Sequence, residues 1–387
     1  MAVNVAVNEP FLKHLNVQKT PHVIVSAEDE DFDDKFLESL RNEGFNVQYV
    51  PLKGERYMDR VHDTANRMTG INEYYSIVGF GDAAAKVLDH HTHSSPRLVA
   101  IIAYYPSFIP DPTRNSYPLN TTILVHLANG SLGIRKRPEI LGIQGKPKTV
   151  KRRVARGIGL GGEMKFNFPS YKYDSPVGFA EEDLEDHDPI AAELAWSRTL
   201  RVLREAFGMK VDIEKIRDEY WEDLRTGNIE KALHLAPDAQ VIYTPTLTGG
   251  VGKELERFYS QFFRPTPLDL NAKLISRTIG VDRIVDEIQL NFIHDQMIPW
   301  LLPDIPPTKQ PVEIVIVSIV CIKGGQISHE RVYWDQASVL LQVGLLDETN
   351  VPEKFKNLVK ELPIMGSESA RIARGKKEEL NELIEKW

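Results

Sequence analysis

The sequence predicts two domains of different α-and-β grammar: an α/β domain with a mostly parallel sheet over residues 1–208, then an α+β domain over residues 209–387. Three observations predict this. The chain has 387 residues, more than the ~150 of one typical domain. Through its first half, short β-branched runs alternate with helical periodicities, the signature of a parallel sheet covered by helices. Beyond Gly208 the helical patterns come first and long alternating strands follow, the order of an α+β domain, so the boundary is placed near 208–213.

His22-Val23-Ile24-Val25 is a continuous apolar run, as a strand buried on both faces should be. Phe36, Leu37 and Leu40 share one face of a helix over Asp33 to Asn42. Asn46 to Leu52 reads as a second strand and Tyr75 to Gly79 as a third, the latter running into a helix over Asp82 to Leu88. Leu98 to Tyr104 and Thr122 to Leu127 are further strands, and Ala191 to Phe207 is a long amphipathic helix. In the second domain, helices are expected over Lys215 to Leu235 and Lys253 to Phe262, with a short strand at Val241 to Tyr243. Long alternating strands follow over Leu274 to Ile279, Ile284 to His294, Val312 to Ile322 and Ile327 to Trp334, in an antiparallel sheet.

Hydrophobic residues make up 42% and charged residues 26%, enough apolar material for two cores and against disorder. The net charge of −8 argues against a nucleic-acid or anionic-membrane partner, which calls for a basic face. One cysteine, Cys321, excludes a disulfide framework and fits a reducing compartment. Met1 to Pro10 lacks the basic start and apolar run of a signal peptide, and no stretch reaches the ~18 apolar residues of a spanning helix. The expectation is a cytoplasmic protein with neither nucleic-acid nor membrane partners.

Several patterns are set aside. The basic loop with Lys146, Lys148, Lys151, Arg152, Arg153 and Arg156 reads as solvated surface. The acidic run Glu28 to Asp34 serves the first turn of the following helix. Gly157-Ile158-Gly159-Leu160-Gly161-Gly162 has the glycine spacing of a dinucleotide loop without the strand before it. His90-His91-Thr92-His93 has no carboxylate or cysteine partner in sequence and reads as surface rather than metal site, while Cys321 reads as a packed strand residue.

Gly79-Phe80-Gly81-Asp82-Ala83 stands where a strand turns sharply into a helix, the place of a G-x-S-x-G nucleophile elbow. With Ser175-Pro176-Val177-Gly178-Phe179-Ala180 downstream, residues 20–208 resemble the dienelactone hydrolase family of α/β hydrolases. The resemblance puts Gly81 at the nucleophile position and Val177 at the histidine position. Ala128 to Ser131, where the acid is expected, holds no carboxylate. Neither glycine nor valine can do triad chemistry, so the domain is expected to be a hydrolase fold without its triad.

Phe292-Ile293-His294-Asp295, Ile305-Pro306-Pro307-Thr308, Gly325-Gln326-Ile327, Tyr333-Trp334-Asp335 and Leu340-Leu341-Gln342-Val343-Gly344 resemble, in order and spacing, the SnoaL-like polyketide cyclases of the nuclear transport factor 2-like superfamily. Lys309 replaces a usual glycine and Val343 a usual leucine. The resemblance implies an α+β cone with an apolar interior and puts Asp335 on the family's catalytic aspartate. Counting by two from Ile327 sets His329, Arg331, Tyr333 and Asp335 on one face. His294 is a plausible partner, against a surface role. Asp335 could equally cap the helix that starts at Gln336. Tyr243, Tyr259, Trp300 and Trp334 are possible pocket walls.

The function so implied is a cofactor-independent cyclase, isomerase or dehydratase that moves protons next to a carbonyl in an apolar, aromatic or polyketide-like substrate, needing no metal. The alternatives are an ester or lactone hydrolase of dienelactone hydrolase type, and a non-catalytic small-molecule-binding or assembly protein, since domains of the C-terminal kind often pair as homodimers.

Overall fold

The computed structural model describes residues 20–93, 95–112, 117–136, 139–140, 143–144, 148–154, 168–226, 235–263, 267, 269–359, 361–375, 380–381 and 383–384. The glycine-rich stretch 157–162 lies outside them, as do Lys146 and Arg156 of the basic segment; its Lys148, Lys151, Arg152 and Arg153 fall in a strand, Lys148–Val154, rather than in a loop. The chain forms two compact units, Met1–Lys210 and Val211–Trp387. No described helix is long and apolar enough to cross a membrane.

The first unit is built on a six-stranded sheet in the order β11-β6-β4-β3-β1-β2, every pairing parallel. Its strands are β1 (His22–Ser26), β2 (Asn46–Tyr49), β3 (Tyr75–Phe80), β4 (Leu98–Tyr104), β6 (Thr122–Leu127) and β11 (Ser170–Lys172). β1 and β3 are buried at every position, which is why their sequences are continuously apolar rather than alternating. Between them run α1 (Asp34–Asn42), α2 (Tyr57–Met68) and α3 (Gly81–His90), and α4 (Pro189–Phe207) follows β11. Asp33 caps α1 by accepting from Lys35 N at 2.9 Å and Phe36 N at 3.3 Å. Asp188 caps α4, which ends at Gly208 in the left-handed conformation. A smaller sheet is formed by β5 (Phe108–Pro110), β7 (Gly130–Lys136) and β10 (Lys148–Val154), with β7 in the middle, and β8 (Glu139–Ile140) pairs antiparallel with β9 (Ile143–Gln144). The core gathers Ile24, Ile77, Ala84, Leu88, Ile101 and Val125 with Val61 and Ala65 of α2, a helix absent from the sequence reading.

The second unit opens with α5 (Ile213–Thr226) and carries a six-stranded sheet in the order β13-β12-β17-β16-β15-β14. The strands are β12 (Leu235–Tyr243), β13 (Thr248–Val251), β14 (Asn271–Ile279), β15 (Arg283–Ile293), β16 (Pro311–Lys323) and β17 (Gln326–Trp334). Leu235, expected to end a helix, instead begins a strand. The sheet is antiparallel except at β12, which runs parallel to β17. Helix α6 (Lys253–Phe258) passes into a π-turn at Tyr259–Phe263, and α7 (Gln336–Gln342) follows β17. One apolar cluster spans the unit, from Ile213 and Tyr220 of α5 through Val241, Ile288, Ile316 and Val332 to Val339 and Val343.

One irregularity decides which side chains face that core. Cys321 pairs with His329, but Ile322 pairs with Ile327, so Ser328 is an extra residue in β17. Such a bulge inverts the inward–outward phase of the strand beyond it. Ile327 is buried, yet after the bulge the buried residues are Glu330 and Val332, while Arg331, Tyr333 and Asp335 are exposed. Counting by two from Ile327 therefore gives the wrong face.

Candidate functional site

Inside the second unit lies a cavity of about 340 Å³, lined by side chains that include Trp221, Tyr243, Phe263, Leu290, Trp300 and Val332, with Ser318 and Glu330 among its polar members. This is within the range of small-molecule pockets. Its aromatic wall is continuous: Tyr243 and Trp300 have ring centroids 5.3 Å apart, and Phe263 and Trp300 6.1 Å. Trp334 packs perpendicular to Trp300 at 5.7 Å, and its indole N–H donates to Gln336.

The polar side of the cavity is a hydrogen-bonded network, in which Arg217 Nη1 has no partner among the described residues. The Glu330 carboxylate accepts from the Ser318 hydroxyl at 2.6 Å, the Tyr220 hydroxyl at 3.0 Å and Arg217 Nη2 at 3.3 Å. Arg217 is fully buried and also donates through Nε to Asp286 at 3.0 Å. Arg277 grips the same Asp286 with two further bonds, at 2.6 and 3.0 Å. Burial works against the Arg217 charge, but Glu330 and Asp286 outweigh it and its pKa stays raised. A lone guanidinium here would be strongly destabilising; two carboxylates make it tolerable.

The tyrosines extend this network. Tyr220 and Tyr259 share a hydrogen bond of 2.7 Å between hydroxyls, and Tyr243 is coupled to Tyr259 in turn. Burial first, with nearby phenols and Glu330 adding to it, drives all three phenols well above their ordinary range. They therefore remain protonated donors at any physiological pH.

Sheet register explains how strands distant in sequence build the network. Asp286 on β15 lies directly opposite Ser318 on β16. Val320 pairs with Glu330 and Ser318 with Val332, so Glu330 and Ser318 meet diagonally on the inner face. None of Arg217, Tyr220, Asp286, Ser318 or Glu330 was singled out in the sequence. The available signal was polar residues in phase with the apolar inward positions: Asp286 between Ile284 and Ile288, and Ser318 between Ile316 and Val320.

The sequence-derived catalytic pair lies elsewhere. Asp335 is exposed and caps α7, accepting from Ala337 N at 3.0 Å, Ser338 N at 3.2 Å and the Ser338 hydroxyl. Its carboxylate does the capping that the sequence offered as the alternative. His294 is buried where β15 turns toward β16, with Nδ1 3.0 Å from the Thr308 hydroxyl. Burial holds its pKa below the ordinary value. It fastens the Pro306–Lys309 turn, where Lys309 adopts φ +62°, a conformation that suits the glycine usual there. Neither residue lines the cavity. Tyr243 and Trp300 do; Tyr259 stands behind the wall; Arg331 and Tyr333 lie on the outer face; His329 is half-buried at the bulge; and Cys321 is buried.

In the first unit, β3 meets α3 in a tight turn with Gly81 at φ +50°. At Gly79 a Cβ would lie 2.7 Å from Ala84 Cα, so a side chain is excluded there. At Gly81 a Cβ would collide with the Glu28 carboxylate, which accepts a hydrogen bond from Asp82 N. Glu28 thus reaches across to the turn instead of serving its own helix. Asp82 accepts from Ser107, and Tyr105 donates to Glu181. Burial pushes the Glu181 carboxyl up to about 7, and raises Glu28 for the same leading reason. Val177 is exposed. His126 is fully buried in a network with Tyr173 and Thr199, and burial depresses it to about 3.

No family model and no curated protein matches the chain. Solved structures similar to it include a candidate SnoaL-like polyketide cyclase from a Jannaschia species, 17% identical, covering 29% of this chain and 75% of that one, with a TM-score of 0.25. IdmH, a candidate polyketide cyclase from Streptomyces antibioticus, is 18% identical over 34% of this chain and 97% of its own, with a TM-score of 0.27. A Catenulispora acidiphila protein with a ketosteroid isomerase-like fold is 14% identical over 34% and 93%, also at 0.27.

Proposed function

We propose that the second unit is a cofactor-independent enzyme of the cyclase, isomerase or dehydratase type, with Glu330 in the acid–base role first given to Asp335. The observation that carries this is a buried carboxylate set into the wall of an otherwise largely apolar, aromatic cavity. An apolar compound with a planar carbonyl system suits the Tyr243–Trp300 wall. Glu330 takes the proton from the carbon beside the carbonyl, and the Tyr243 phenol, kept protonated by burial, donates to the oxygen as negative charge collects there. Ser318, Tyr220 and Arg217 hold the carboxylate in place. The first unit, in this reading, is a hydrolase-type frame without its triad. The tight turn at Gly81 supports that, and it hydrolyses neither esters nor lactones.

The test does not require the natural substrate. A panel of aromatic ketones is titrated while Trp221 and Trp300 fluorescence is followed, and each binder is incubated in D₂O with NMR detection of exchange beside the carbonyl. Wild type should exchange at least one binder; Glu330→Gln and Tyr243→Phe should still bind it but exchange it roughly 10²-fold more slowly. Binding without exchange would overturn the enzymatic reading in favour of a binding protein.

A further inference from the structure

His62 sits on α2, and His90 and His91 sit at the C-terminal end of α3. In sequence the run His90-His91-Thr92-His93 reads as surface because no carboxylate or cysteine partner is paired with it. The fold brings His62 to the pair at 90–91 from 28 positions upstream. The ring centroids of the three imidazoles lie 5.0 to 5.6 Å apart in every pairing. One ring nitrogen from each falls within 4.8 Å of the others.

Three imidazoles turned toward one another are not needed for packing, and His91 shows why. Only 2% exposed, it donates from Nδ1 to the Val87 carbonyl at 3.0 Å. That bond fixes the tautomer and leaves a lone pair on Nε2, which has no hydrogen-bond partner among the described residues. A buried polar atom left in this state costs free energy. Metal-bound histidines characteristically donate their other ring N–H to a backbone carbonyl, as His91 does.

We propose that His62, His90 and His91 form a three-histidine site for a borderline transition-metal dication, zinc foremost, tying α2 to the end of α3. Nitrogens bound tetrahedrally at 2.0–2.1 Å stand about 3.3 Å apart. Closing from 4.8 Å is a matter of side-chain rotation, which half-buried His62 and exposed His90 are free to make about the fixed His91. Three neutral imidazoles with a fourth position open to water suit zinc, and copper or nickel by affinity order; hard oxygen-seeking magnesium and calcium are excluded.

The test uses the full-length chain without an affinity tag, stripped by chelator. Zinc is titrated calorimetrically, and cobalt is substituted as a chromophore. The expected result is one metal per chain, intense visible cobalt bands of a tetrahedral site, three nitrogen scatterers at 2.0–2.1 Å by X-ray absorption, and a melting temperature that rises with zinc. His62→Ala and His90→Ala alter side chains that are not deeply buried, so their metal-free forms should melt like wild type. Each should weaken zinc binding roughly 100-fold, and the double variant should abolish both the binding and the melting shift. Absence of saturable binding in wild type overturns the site. So does binding unchanged in the double variant, which would place the metal elsewhere.

Discussion

Glu181 is the residue whose environment makes the sharpest statement about pH. Its carboxyl is driven from 4.5 to about 7, first by burial and then by the charges of Asp183 and Glu28, partly offset by the Tyr105 hydroxyl. The folded state therefore holds a proton that the unfolded chain releases above about 4.5. Glu181 is favourable at pH 5 and becomes progressively less so as pH rises through 7. Glu181→Gln keeps the shape and the bond from Tyr105 while removing the titration. Its melting temperature should match wild type near pH 5 and exceed it at pH 8. The difference should be on the order of 1–2 kcal/mol, discounted for solvent screening of a half-buried group. Parallel melting curves at the two pH values would refute it. The sequence shows Glu28 only as a member of the acidic run Glu28 to Asp34 and does not mark Glu181; what raises both carboxyls is first of all burial, which only the fold sets.

At the scale of elements, β17 and α7 show what periodicity can and cannot locate. Strand positions near 284–293, 312–322 and 327–334 were legible because apolar residues alternate there. The inner face of β17 was not, because one extra residue at Ser328 inverts it and no composition signal marks a bulge that lacks glycine. The same inversion that brings Glu330 inside puts Asp335 outside, at the first turn of α7. Its capping role has a measurable size. Asp335→Ala should cost about 1 kcal/mol, as loss of a helix cap does, and Asp335→Asn should cost little because asparagine caps well. Neither should change ligand affinity or deuterium exchange in the cavity. Loss of exchange in Asp335→Asn with an unchanged melting temperature would return the acid–base role to Asp335 and remove it from Glu330. Helix ends obey residue chemistry more simply: Asp33, read as part of its helix, caps it instead, Asp188 caps α4 and Gly208 closes it in the left-handed conformation.

At the scale of the molecule, each unit encloses its own core. The apolar cluster of the first runs from Ile24 to Ile134 and that of the second from Ile213 to Val343, with no residue in common. The buried charges are balanced in the same local way: Arg217 and Arg277 answer to Asp286 and Glu330, all within the second unit. Residues 208–212, past the left-handed cap at Gly208, are largely exposed, with only Met209 half-buried. A domain of about 150 residues buries roughly 70% of its unfolded surface, which suffices for autonomous folding. Residues 211–387 expressed alone should therefore give a circular dichroism spectrum with strand and helix content and unfold in one cooperative transition. Buried Trp300 makes this a test of the cavity as well as of the backbone, since its emission should remain blue-shifted only if the aromatic wall has assembled. A fragment with an unfolded spectrum, or one with secondary structure but solvent-exposed tryptophan emission, would mean that the second core is completed by the first unit. The acid–base site would then have to be studied only in the whole chain.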